Sequence, residues 1–412
     1  MNVIILGAGI VGLTSAWELA RDGHAITVID RNPTVAEGAS HANGAQLSYS
    51  YVAPLASPDV ITSLPKYLLS ADSPVRFVPA ADPGQWMWLL RFLAACNAKT
   101  SAANTARLLA LARLSREKLH ALAAETGIDF DHAANGKLVI QSTADSQRAA
   151  EAQMRLQAAM GCEQYALTAA ECIALEPGLE SVAHRLVGGI HTPGEEVGDC
   201  RKLCEGLHAL LEAGGAQFLL GTEARLVVES GRVAGVDTAR GRVTADLYVL
   251  AAGTGSRGLA REARLSAPVL PIRGYSISAP VLESNRAPVR SITDTARKTV
   301  YAPLGTRLRT AGFAEIGGAD TRNLDARVAT LSADLQAIFP GACATTDLQP
   351  WAGLRPATPT GVPLIGATKL SSLLFNTGQG ALGFTLAAGS AALLADLVAG
   401  RTPAVPAADY TG

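Results

Sequence analysis

The sequence predicts an α/β protein that combines a unit of parallel strands with a second unit of mixed helices and strands. Three observations predict it: a strand–turn–helix–strand order at the N-terminus, helical spacing over most of 59–184, and a series of short strands from 216 to 251. A length of 412 residues also favours two or three structural units.

The first unit opens with a run of apolar β-formers, Asn2 to Leu6, as expected of a strand buried on both faces. A glycine turn, GAGIVG, occupies residues 7–12, and apolar residues with helical spacing continue from Leu13 to Asp22. A second apolar strand, Ala25 to Ile29, ends at Asp30. The order is strand, glycine turn, helix, strand and acid.

The later elements follow from periodicity and turn residues. Residues 31–58 are rich in Ser, Asn, Gly, Pro and Ala without periodicity, which predicts a loop. Helices are predicted at 86–98, 101–126, 144–160, 199–214, 325–339 and 383–399. Strands are predicted at 136–141, 216–220, 223–229, 232–238, 243–251 and 373–376, with a further β region over 268–316.

Composition and charge exclude several classes of protein. Hydrophobic residues make up 48% of the chain and charged residues 17%, which excludes a disordered chain. The net charge is −1, whereas a protein that neutralises many phosphates carries a basic excess, so no nucleic-acid partner is expected. The six cysteines form no CxxC pair and the seven histidines are scattered singly, so no metal site is expected.

The glycine turn carries the first chemical prediction. Gly7 makes the tight turn, Gly9 lets the backbone approach a pyrophosphate, and Gly12 lets the helix pack closely on the strand. The pyrophosphate would sit at the helix N-terminus, where backbone amides have no partner. Asp30 can accept hydrogen bonds from an adenosine ribose, which favours FAD or NAD over NADP.

Two later segments favour FAD over NAD. Residues 245–253 resemble the late strand of flavoproteins with two dinucleotide-binding domains, whose end passes close to FAD. Gly378 and Gly380 precede the last helix, whose N-terminus is suited to the electron-rich pyrimidine end of a reduced flavin. Neither segment is specific alone, and their order along the chain makes FAD the better choice.

Segments spread over the whole chain carry a more specific resemblance. They are VIILGAGIVGLTSAWELARDGHAITVIDRNP, SHANGAQLSYSYVAP, GGIHTPGEEVGDC, VLPIRGYSI, WAGLRPATPTGVPLIG and NTGQGALGFTLAAGS. Together they resemble the D-amino acid oxidase-type family of FAD-dependent amine oxidoreductases, in particular its bacterial dehydrogenase branch. The resemblance implies a Rossmann-type FAD-binding domain over 1–58, 185–262 and 345–412, and an inserted α+β substrate domain over 59–184 and 263–344.

The resemblance also implies where FAD binds. Cys343, the only late cysteine, stands in a different setting from the flavin-attaching cysteine of some amine oxidases, so the FAD is expected to be non-covalent. The expected cofactor contacts are Gly7, Ala8, Gly9, Ile10, Val11, Gly12, Asp30, Arg31, Ser40, Asn43, Gly44, Ala45, Gln46, Leu47, Ala224, Ala252, Gly253, Gly378, Gln379, Gly380, Ala381, Leu382, Gly383, Phe384 and Thr385.

On the substrate side the resemblance points to Arg355, in the segment GLRP. A guanidinium presents paired donors matched to a carboxylate, so Arg355 is implied to hold the carboxylate of an amino acid. Tyr275 and Tyr301 lie in the presumed substrate sheet and are candidates to close over the substrate. By sequence alone, each tyrosine is equally well explained as a packing residue of the sheet.

The implied reaction is oxidative deamination of a D-amino acid, with proline-type imino acids as further candidates. The hydrogen on Cα leaves as hydride to flavin N5, and the imine hydrolyses to a 2-oxo acid and ammonia. The implied electron acceptor is a quinone or another respiratory carrier. Two alternatives stay open: an oxygen-using oxidase of the same fold acting on glycine, sarcosine or a D-imino acid, and a non-catalytic flavin-holding subunit of a hetero-oligomer.

Localisation is predicted from apolar segments. No N-terminal signal is expected, because the first apolar run is interrupted by glycines and lacks a basic region before it. The apolar helical stretch from Trp86 to Cys96 is about half as long as a bilayer span requires. A cytoplasmic protein is therefore expected, and peripheral contact with the inner face of the plasma membrane is left open, as is the oligomeric state.

Overall fold

The structure, a computed structural model, describes residues 1–58, 60–61, 75–283, 286–317 and 324–411. Parts of the predicted substrate domain, such as 62–74 and 318–323, lie outside the described residues. The strands are β1 (Asn2–Leu6), β2 (Ala25–Ile29), β3 (Gln46–Leu47), β4 (Val75–Phe77), β5 (Lys137–Gln141), β6 (Tyr165–Thr168), β7 (Gly188–Thr192), β8 (Glu196–Val197), β9 (Gln217–Leu219), β10 (Arg225–Glu229), β11 (Arg232–Thr238), β12 (Gly241–Val243), β13 (Leu247–Leu250), β14 (Leu270–Pro280), β15 (Ser291–Asp294), β16 (Thr299–Leu304), β17 (Arg307–Ile316), β18 (Gln349–Ala357), β19 (Leu364–Ala367) and β20 (Leu373–Thr377).

The α-helices are α1 (Ile10–Arg21), α2 (Pro83–Ala95), α3 (Ala98–Thr126), α4 (Ala144–Ala158), α5 (Ala169–Leu175), α6 (Cys200–Ala213), α7 (Ser256–Glu262), α8 (Leu324–Ile338) and α9 (Gly383–Ala399). Short 3₁₀ segments lie at Pro177–Arg185, Gly253–Gly255, Gly380–Leu382 and Ala407–Asp409.

The first sheet has six strands in the order β19-β20-β13-β1-β2-β9 among the described residues. Its pairings are parallel except that of β19 with β20. Side chains of β1 alternate between two cores: Val3 and Ile5 pack in a cluster with α1, α6 and α9, whereas Ile4 and Leu6 pack in a second cluster with β11 and α7. This two-sided burial explains the continuous apolar run at the N-terminus. The α/β class with a Rossmann-type sheet is confirmed.

The second sheet follows the order β18-β14-β17-β16-β15-β5-β7-β6, with β4 paired to β17. Most of its pairings are antiparallel; β5 with β15 and β17 with β4 are parallel. One face packs against α8 through a buried cluster that includes Ile277, Leu308, Leu331 and Phe339. The other face looks toward the first sheet, and the cavity described below lies on that side.

Two strands of the predicted FAD-binding domain pair within the second sheet. β7 (188–192) pairs with β5 and β6, and β18 (349–357) pairs with β14, so the backbone hydrogen bonds of both strands lie in the second sheet. The family resemblance placed both ranges in the FAD-binding domain, within 185–262 and 345–412. We propose the same two-domain division with these strands moved to the substrate domain.

The C-terminal helix is the most apolar in the chain. Residues Gly380–Ala399 are long and apolar enough to cross a membrane by length and composition, with a mean hydropathy of 1.7, but 67% of that window is buried inside the protein. The helix packs against α1 and α3. It therefore serves as a core helix, since its apolar surface is already covered by protein.

Candidate functional site

A cavity of about 2010 Å³ lies between the two sheets and is lined by residues from both. Most predicted site residues line it: Gly7, Gly9, Ile10, Val11, Asp30, Arg31, Ser40, Asn43, Gly44, Ala45, Gln46, Ala224, Ala252, Gly253, Tyr275, Arg355, Gln379, Gly380, Ala381, Leu382, Gly383 and Phe384. The predicted residues that lie off the wall are Ala8, Gly12, Leu47, Tyr301, Gly378 and Thr385.

The glycine turn at one end of the cavity forms a close-packed cradle. A Cβ on Gly7, whose φ is +120°, would lie 2.4 Å from the carbonyl oxygen of Ala251. A Cβ on Gly12 would lie 1.9 Å from the carbonyl oxygen of Gly7. Both positions therefore require glycine, one for turn geometry and one for contact between helix and strand, as the motif predicts.

The N-terminus of α1 faces the same end of the cavity. Its N-cap is Gly9, which offers no side chain, and its first turn contains no acidic residue. The amide of Ile10 donates to Ser40 Oγ at 3.0 Å, so Ser40 serves as a cap supplied from the following loop. The positive end of the helix dipole is therefore not neutralised by a carboxylate within the helix, which suits an anionic ligand.

Asp30 connects the glycine turn to the end of β2. Its Oδ2 accepts from the amide of Ala8 at 2.7 Å, and its Oδ1 accepts from the amide and the side chain of Asn32 at 2.8 and 3.0 Å. A carboxylate has about four lone-pair sites, so these bonds leave capacity for a further donor such as a ribose hydroxyl. The glycine cradle, a helix N-terminus without an acidic residue in its first turn, and the Asp30 carboxylate together fit a dinucleotide.

The loop after β2 is held in a defined conformation on the cavity wall. Ala45 has a left-handed backbone with φ +57°, and its amide donates to Asn43 Oδ1 at 2.9 Å. Gln46 and Leu47 form β3, which pairs with β8. The loop that the sequence presented as an irregular polar segment is thus fixed by a side-chain turn and a short ladder.

The start of α9 is bonded to the same loop. The amide of Ser48 donates to Thr385 Oγ1 at 3.1 Å, and Thr385 Oγ1 donates to the carbonyl of Gln46 at 3.4 Å. Gly378 and Gly380 have φ of +85° and +58°, which glycine adopts without steric cost. Thr385 therefore lies off the wall and acts behind it, linking two cavity-lining segments.

Arg355 lies on β18 with its guanidinium at the cavity. Its Nη1 donates to the carbonyl of Phe313 at 2.9 Å, and no acidic partner lies beside it among the residues that the structure describes. Burial without a counter-charge lowers the pKa of Arg355 from 12.5 to about 10, so the group stays protonated at neutral pH. A half-buried cation without a carboxylate partner among the described residues, in a cavity, is suited to bind an anion.

Tyr275 also lines the cavity, but its hydroxyl is already engaged. The hydroxyl donates to Glu315 Oε2 at 2.9 Å, and Arg327 Nη2 donates to Glu315 Oε1 at 2.7 Å. Burial and the bond to Glu315 raise the pKa of Tyr275, so it stays neutral. Its ring, edge-on to Phe313 with centroids 6.0 Å apart, presents an apolar surface to the cavity.

Tyr301 does not reach the cavity, which corrects the expectation from the sequence. It is fully buried in the core behind the second sheet, edge-on to Phe339 with ring centroids 5.5 Å apart. Its hydroxyl has no hydrogen-bond partner within the described residues. The neighbouring residue Val300 lines the cavity instead, because successive side chains of a strand point to opposite faces.

Two groups on the wall were not anticipated from the sequence. Lys137 is 2% exposed, donates from Nζ to Gln46 Oε1 and Ser48 Oγ at 3.0 Å each, and lies 4.1 Å from the ring centroid of Tyr51. Phe313 supplies both an aromatic wall and the carbonyl that Arg355 contacts. The sequence does contain a pattern that indicates Lys137, because it alternates with Val139 and Gln141 along β5 and so shares their face of the strand. No sequence pattern indicates Phe313.

The Glu195-Glu196 pair is buried, which is unusual for two adjacent carboxylates. Both residues are 1% exposed. Glu196 accepts from His120 Nε2 and His132 Nε2 at 2.8 Å each, and Arg116 Nε lies 3.3 Å from the same carboxylate. Burial alone would raise the pKa of Glu196, but the two imidazoles outweigh it and the net pKa is lowered. The side chains of His120, His132 and Glu196 place one potential metal-ligand atom each within 4.8 Å of one another. The adjacent Arg116, however, already balances the charge of the Glu196 carboxylate.

The sequence of the chain is similar to those of known proteins. A family model described as FAD dependent oxidoreductase, DAO, matches residues 2–397. D-amino acid dehydrogenase 2 of Ralstonia nicotianae is 49% identical, with 100% of this chain and 99% of that protein covered. D-amino acid dehydrogenase 2 of Pseudomonas aeruginosa is 45% identical, with 100% and 97% covered, and D-amino acid dehydrogenase of Agrobacterium fabrum is 40% identical, with 99% and 98% covered.

Solved structures share the fold. Glycine oxidase from Geobacillus kaustophilus superposes with a TM-score of 0.79 at 21% identity, covering 100% of this chain and 98% of that one. L-proline dehydrogenase from P. horikoshii superposes with a TM-score of 0.73 at 18% identity, covering 100% and 96%. At this identity the likeness shows the fold alone.

Proposed function

The chain belongs to the DAO family of FAD-dependent oxidoreductases, and from this premise we infer that it is an FAD-dependent enzyme that oxidatively deaminates D-amino acids. The observation that carries this function is Arg355, a half-buried cation without an acidic partner among the described residues, in the cavity that also contains the dinucleotide cradle. The cradle would bind the cofactor and Arg355 would bind the substrate, the two molecules that such a reaction must bring together.

We propose that the glycine turn and the N-terminus of α1 hold the pyrophosphate of FAD, with Asp30 on the ribose and Ala224 near the adenine. The loop 40–47 and the segment 378–385 would then border the flavin, because most of their residues line the cavity that also contains the cradle and Arg355. When bound, FAD supplies the two-electron oxidant that accepts hydride from the substrate. The chain's own residues bind, orient and shield the substrate.

Arg355 would bind the substrate carboxylate. Its planar fork matches a carboxylate through two parallel N–H···O bonds, and its burial makes the exchange of water for a counter-anion favourable. Since Nη1 uses one N–H on the carbonyl of Phe313, the remaining N–H groups are open to a ligand. Fixing the carboxylate at one point orients the Cα–H bond, so positioning is the main contribution of this residue.

Tyr275 and Phe313 would form the apolar wall beside this clamp. The hydroxyl of Tyr275 donates to Glu315 and accepts from Arg273 Nη1 at 3.3 Å, so the phenol keeps one orientation. With hydride leaving Cα and a proton leaving the amine, the substrate becomes an imine, which hydrolyses to a 2-oxo acid and ammonia. Neither Tyr275 nor Arg355 needs to act as a base at neutral pH.

We further propose a quinone or another respiratory carrier as electron acceptor, and a cytoplasmic location with peripheral contact at the membrane. Helix α2 supports this contact, because Trp86, Met87 and Leu90 on its outer side are 46%, 52% and 63% exposed. Trp88 and Phe92 of the same helix are buried, so the helix packs on the protein with one side and presents apolar residues with the other.

The visible spectrum of the purified protein, held without oxygen, tests the function. D-alanine and D-proline are expected to bleach the flavin absorbance, and their L-enantiomers are not. Arg355→Ala is expected to need about 100-fold more substrate, since it removes two charge-assisted hydrogen bonds. Arg242→Ala, on an exposed hairpin outside the cavity lining, is the matched control and should behave as wild type.

Each contrary result has a definite meaning. A colourless protein that takes up no FAD would overturn the cofactor assignment, and a yellow protein bleached by no amino acid would overturn the substrate class. Bleaching by L-enantiomers alone would reverse the stereochemistry. In air, oxygen uptake with stoichiometric hydrogen peroxide would replace the respiratory acceptor by oxygen.

A further inference from the structure

Strand β17 contains Phe313, whose carbonyl Arg355 contacts, and its pairing with β14 is irregular at that residue. Between β14 and β17, Tyr275 pairs with Gly312 and Arg273 pairs with Glu315. Two residues of β17, Phe313 and Ala314, therefore lie opposite one residue of β14, Gly274. This count defines a β-bulge, a feature that bends a strand and changes the direction in which its groups point.

Phe313, the first residue of the bulge, has a left-handed backbone with φ +65°. Glycine usually occupies such a position, and a bulky aromatic residue there is an outlier. The rotation directs the carbonyl of Phe313 to Nη1 of Arg355 at 2.9 Å. A carbonyl that would ordinarily join the sheet ladder thus accepts from the cation in the cavity.

Gly274, opposite the bulge, completes the seat for the guanidinium. A Cβ at this position would lie 2.3 Å from Nη2 of Arg355 and 2.5 Å from its central carbon. The guanidinium therefore lies directly against the backbone of β14, with the carbonyl of Phe313 beside it. Backbone on two strands fixes the orientation of Arg355, without any acidic side chain that would compete for the ligand.

We propose that Phe313 is a positioning residue for Arg355, acting through its left-handed backbone at the β-bulge of β17. This inference rests on the proposed role of Arg355 as the carboxylate clamp. A neutral carbonyl orients the guanidinium and leaves its charge uncompensated, whereas an aspartate or glutamate in the same place would orient it and neutralise it. The bulge thereby provides orientation and keeps the cation available for the substrate carboxylate.

The backbone role can be separated from the role of the aromatic ring. Phe313→Asn and Phe313→Val remove the same ring, with its contacts to Tyr275 and Arg327, but differ in backbone preference. Asn adopts the left-handed region readily and a β-branched residue rarely does. A difference between the two variants therefore reports the backbone, and Phe313→Leu replaces Phe313→Val if the latter does not fold with FAD bound.

The first measurement is the affinity of the holoenzyme for propionate, a carboxylate without an amine, with propionamide as the uncharged control. We expect Phe313→Asn to bind propionate within about threefold of wild type, and Phe313→Val to bind it about tenfold more weakly, the loss of one well-oriented hydrogen bond to a charged group. The effect should raise KM for a D-amino acid and leave kcat unchanged. Equal weakening in both variants, or none in either, would overturn the positioning role.

The second measurement does not depend on substrate binding. Phenylglyoxal labelling of Arg355, followed by peptide mass spectrometry with exposed Arg242 as internal reference, is expected to be faster in Phe313→Val than in wild type and Phe313→Asn. Equal labelling in all three proteins would overturn the proposal. A wild type that binds no propionate and oxidises no D-amino acid would refute the proposed function, and the labelling would still decide whether Phe313 holds the arginine.

Discussion

At the scale of the single residue, Lys137 combines a charge with nearly complete burial. Its amine is bonded only to the neutral oxygens of Gln46 and Ser48 within the described residues, while its stem runs along the inside of β5. Desolvation lowers the pKa of Lys137 from 10.5 to about 8, although the nearby Glu195 acts in the opposite direction. The folded protein therefore binds this proton less tightly than the unfolded chain does.

This difference predicts a pH dependence of stability. Because the folded-state pKa of about 8 lies below the ordinary 10.5, the stability linked to this group is fully present above pH 10.5 and is lost as the pH falls through 8. Relative to Lys137→Met, the wild type should gain roughly 3 kcal/mol of unfolding free energy between those pH values. Urea denaturation of both proteins across this range measures it; a difference that does not change with pH would contradict the lowered pKa.

A second residue-scale prediction concerns Gly12. Alanine here would place its Cβ 1.9 Å from the carbonyl of Gly7, so α1 must move away from β1 and the cradle must open. We expect Gly12→Ala to be purified with little bound FAD, as measured by the ratio of flavin to protein absorbance. Gly214→Ala is the control, because the nearest atoms to its Cβ lie at 3.4 Å, an ordinary contact. Normal flavin content in Gly12→Ala would show that the cradle can yield.

The position of a single residue could be predicted where the sequence pattern that indicates it lies within one short segment. Gly7, Gly12 and Asp30 were correctly placed because the glycine motif specifies backbone geometry within one short segment. Tyr301 was misplaced because a shift of one position along a strand exchanges the two faces, and no local pattern of β16 shows which face meets the cavity. The role of Arg355 stays a prediction from family resemblance; its place against Gly274 follows from pairing between strands about eighty residues apart, which no local rule supplies.

At the scale of the element, the link between α9 and the flavin-side loop gives a prediction. Thr385→Val would keep the shape of Thr385 and remove the oxygen that accepts from the amide of Ser48. A buried amide left without a partner costs about 1–3 kcal/mol. We expect weaker FAD binding, measured by titrating the apoprotein with FAD, and recovery in Thr385→Ser, which keeps the hydroxyl. Equal loss in both variants would show that the methyl group matters instead.

Elements with a complete local signal were predicted closely. The helix 383–399 and the strands 2–6, 25–29 and 232–238 coincide with the predicted ranges. The predicted strand 243–251 is divided into β12 and β13, which lie in different sheets. β18 was not predicted because Pro350 and Pro356 suggest a loop, although an edge strand tolerates proline where no ladder amide is required.

At the scale of the whole molecule, the exposed apolar side of α2 predicts membrane binding. Trp86→Gln combined with Leu90→Gln should reduce sedimentation with vesicles of phosphatidylethanolamine and phosphatidylglycerol, because it removes apolar area that would enter the interface. Leu282→Gln combined with Val289→Gln is the control, since these residues are 65% and 62% exposed on another part of the surface. Equal sedimentation of both double variants would show that α2 is not the membrane contact.

The order in which the strands occur along the chain has a consequence for synthesis. β1 pairs with β13, which pairs with β20 at 373–377, while the strand that carries Arg355 joins the second sheet at 349–357. The second sheet therefore stays incomplete until residues 349–357 have been synthesised, and the first sheet until residues 373–377 have been synthesised; α9 bonds to the loop after β2 only after that. The cavity that would hold FAD is thus completed by elements that are synthesised late, so we expect stable capture of the prosthetic group only after α9 has been made.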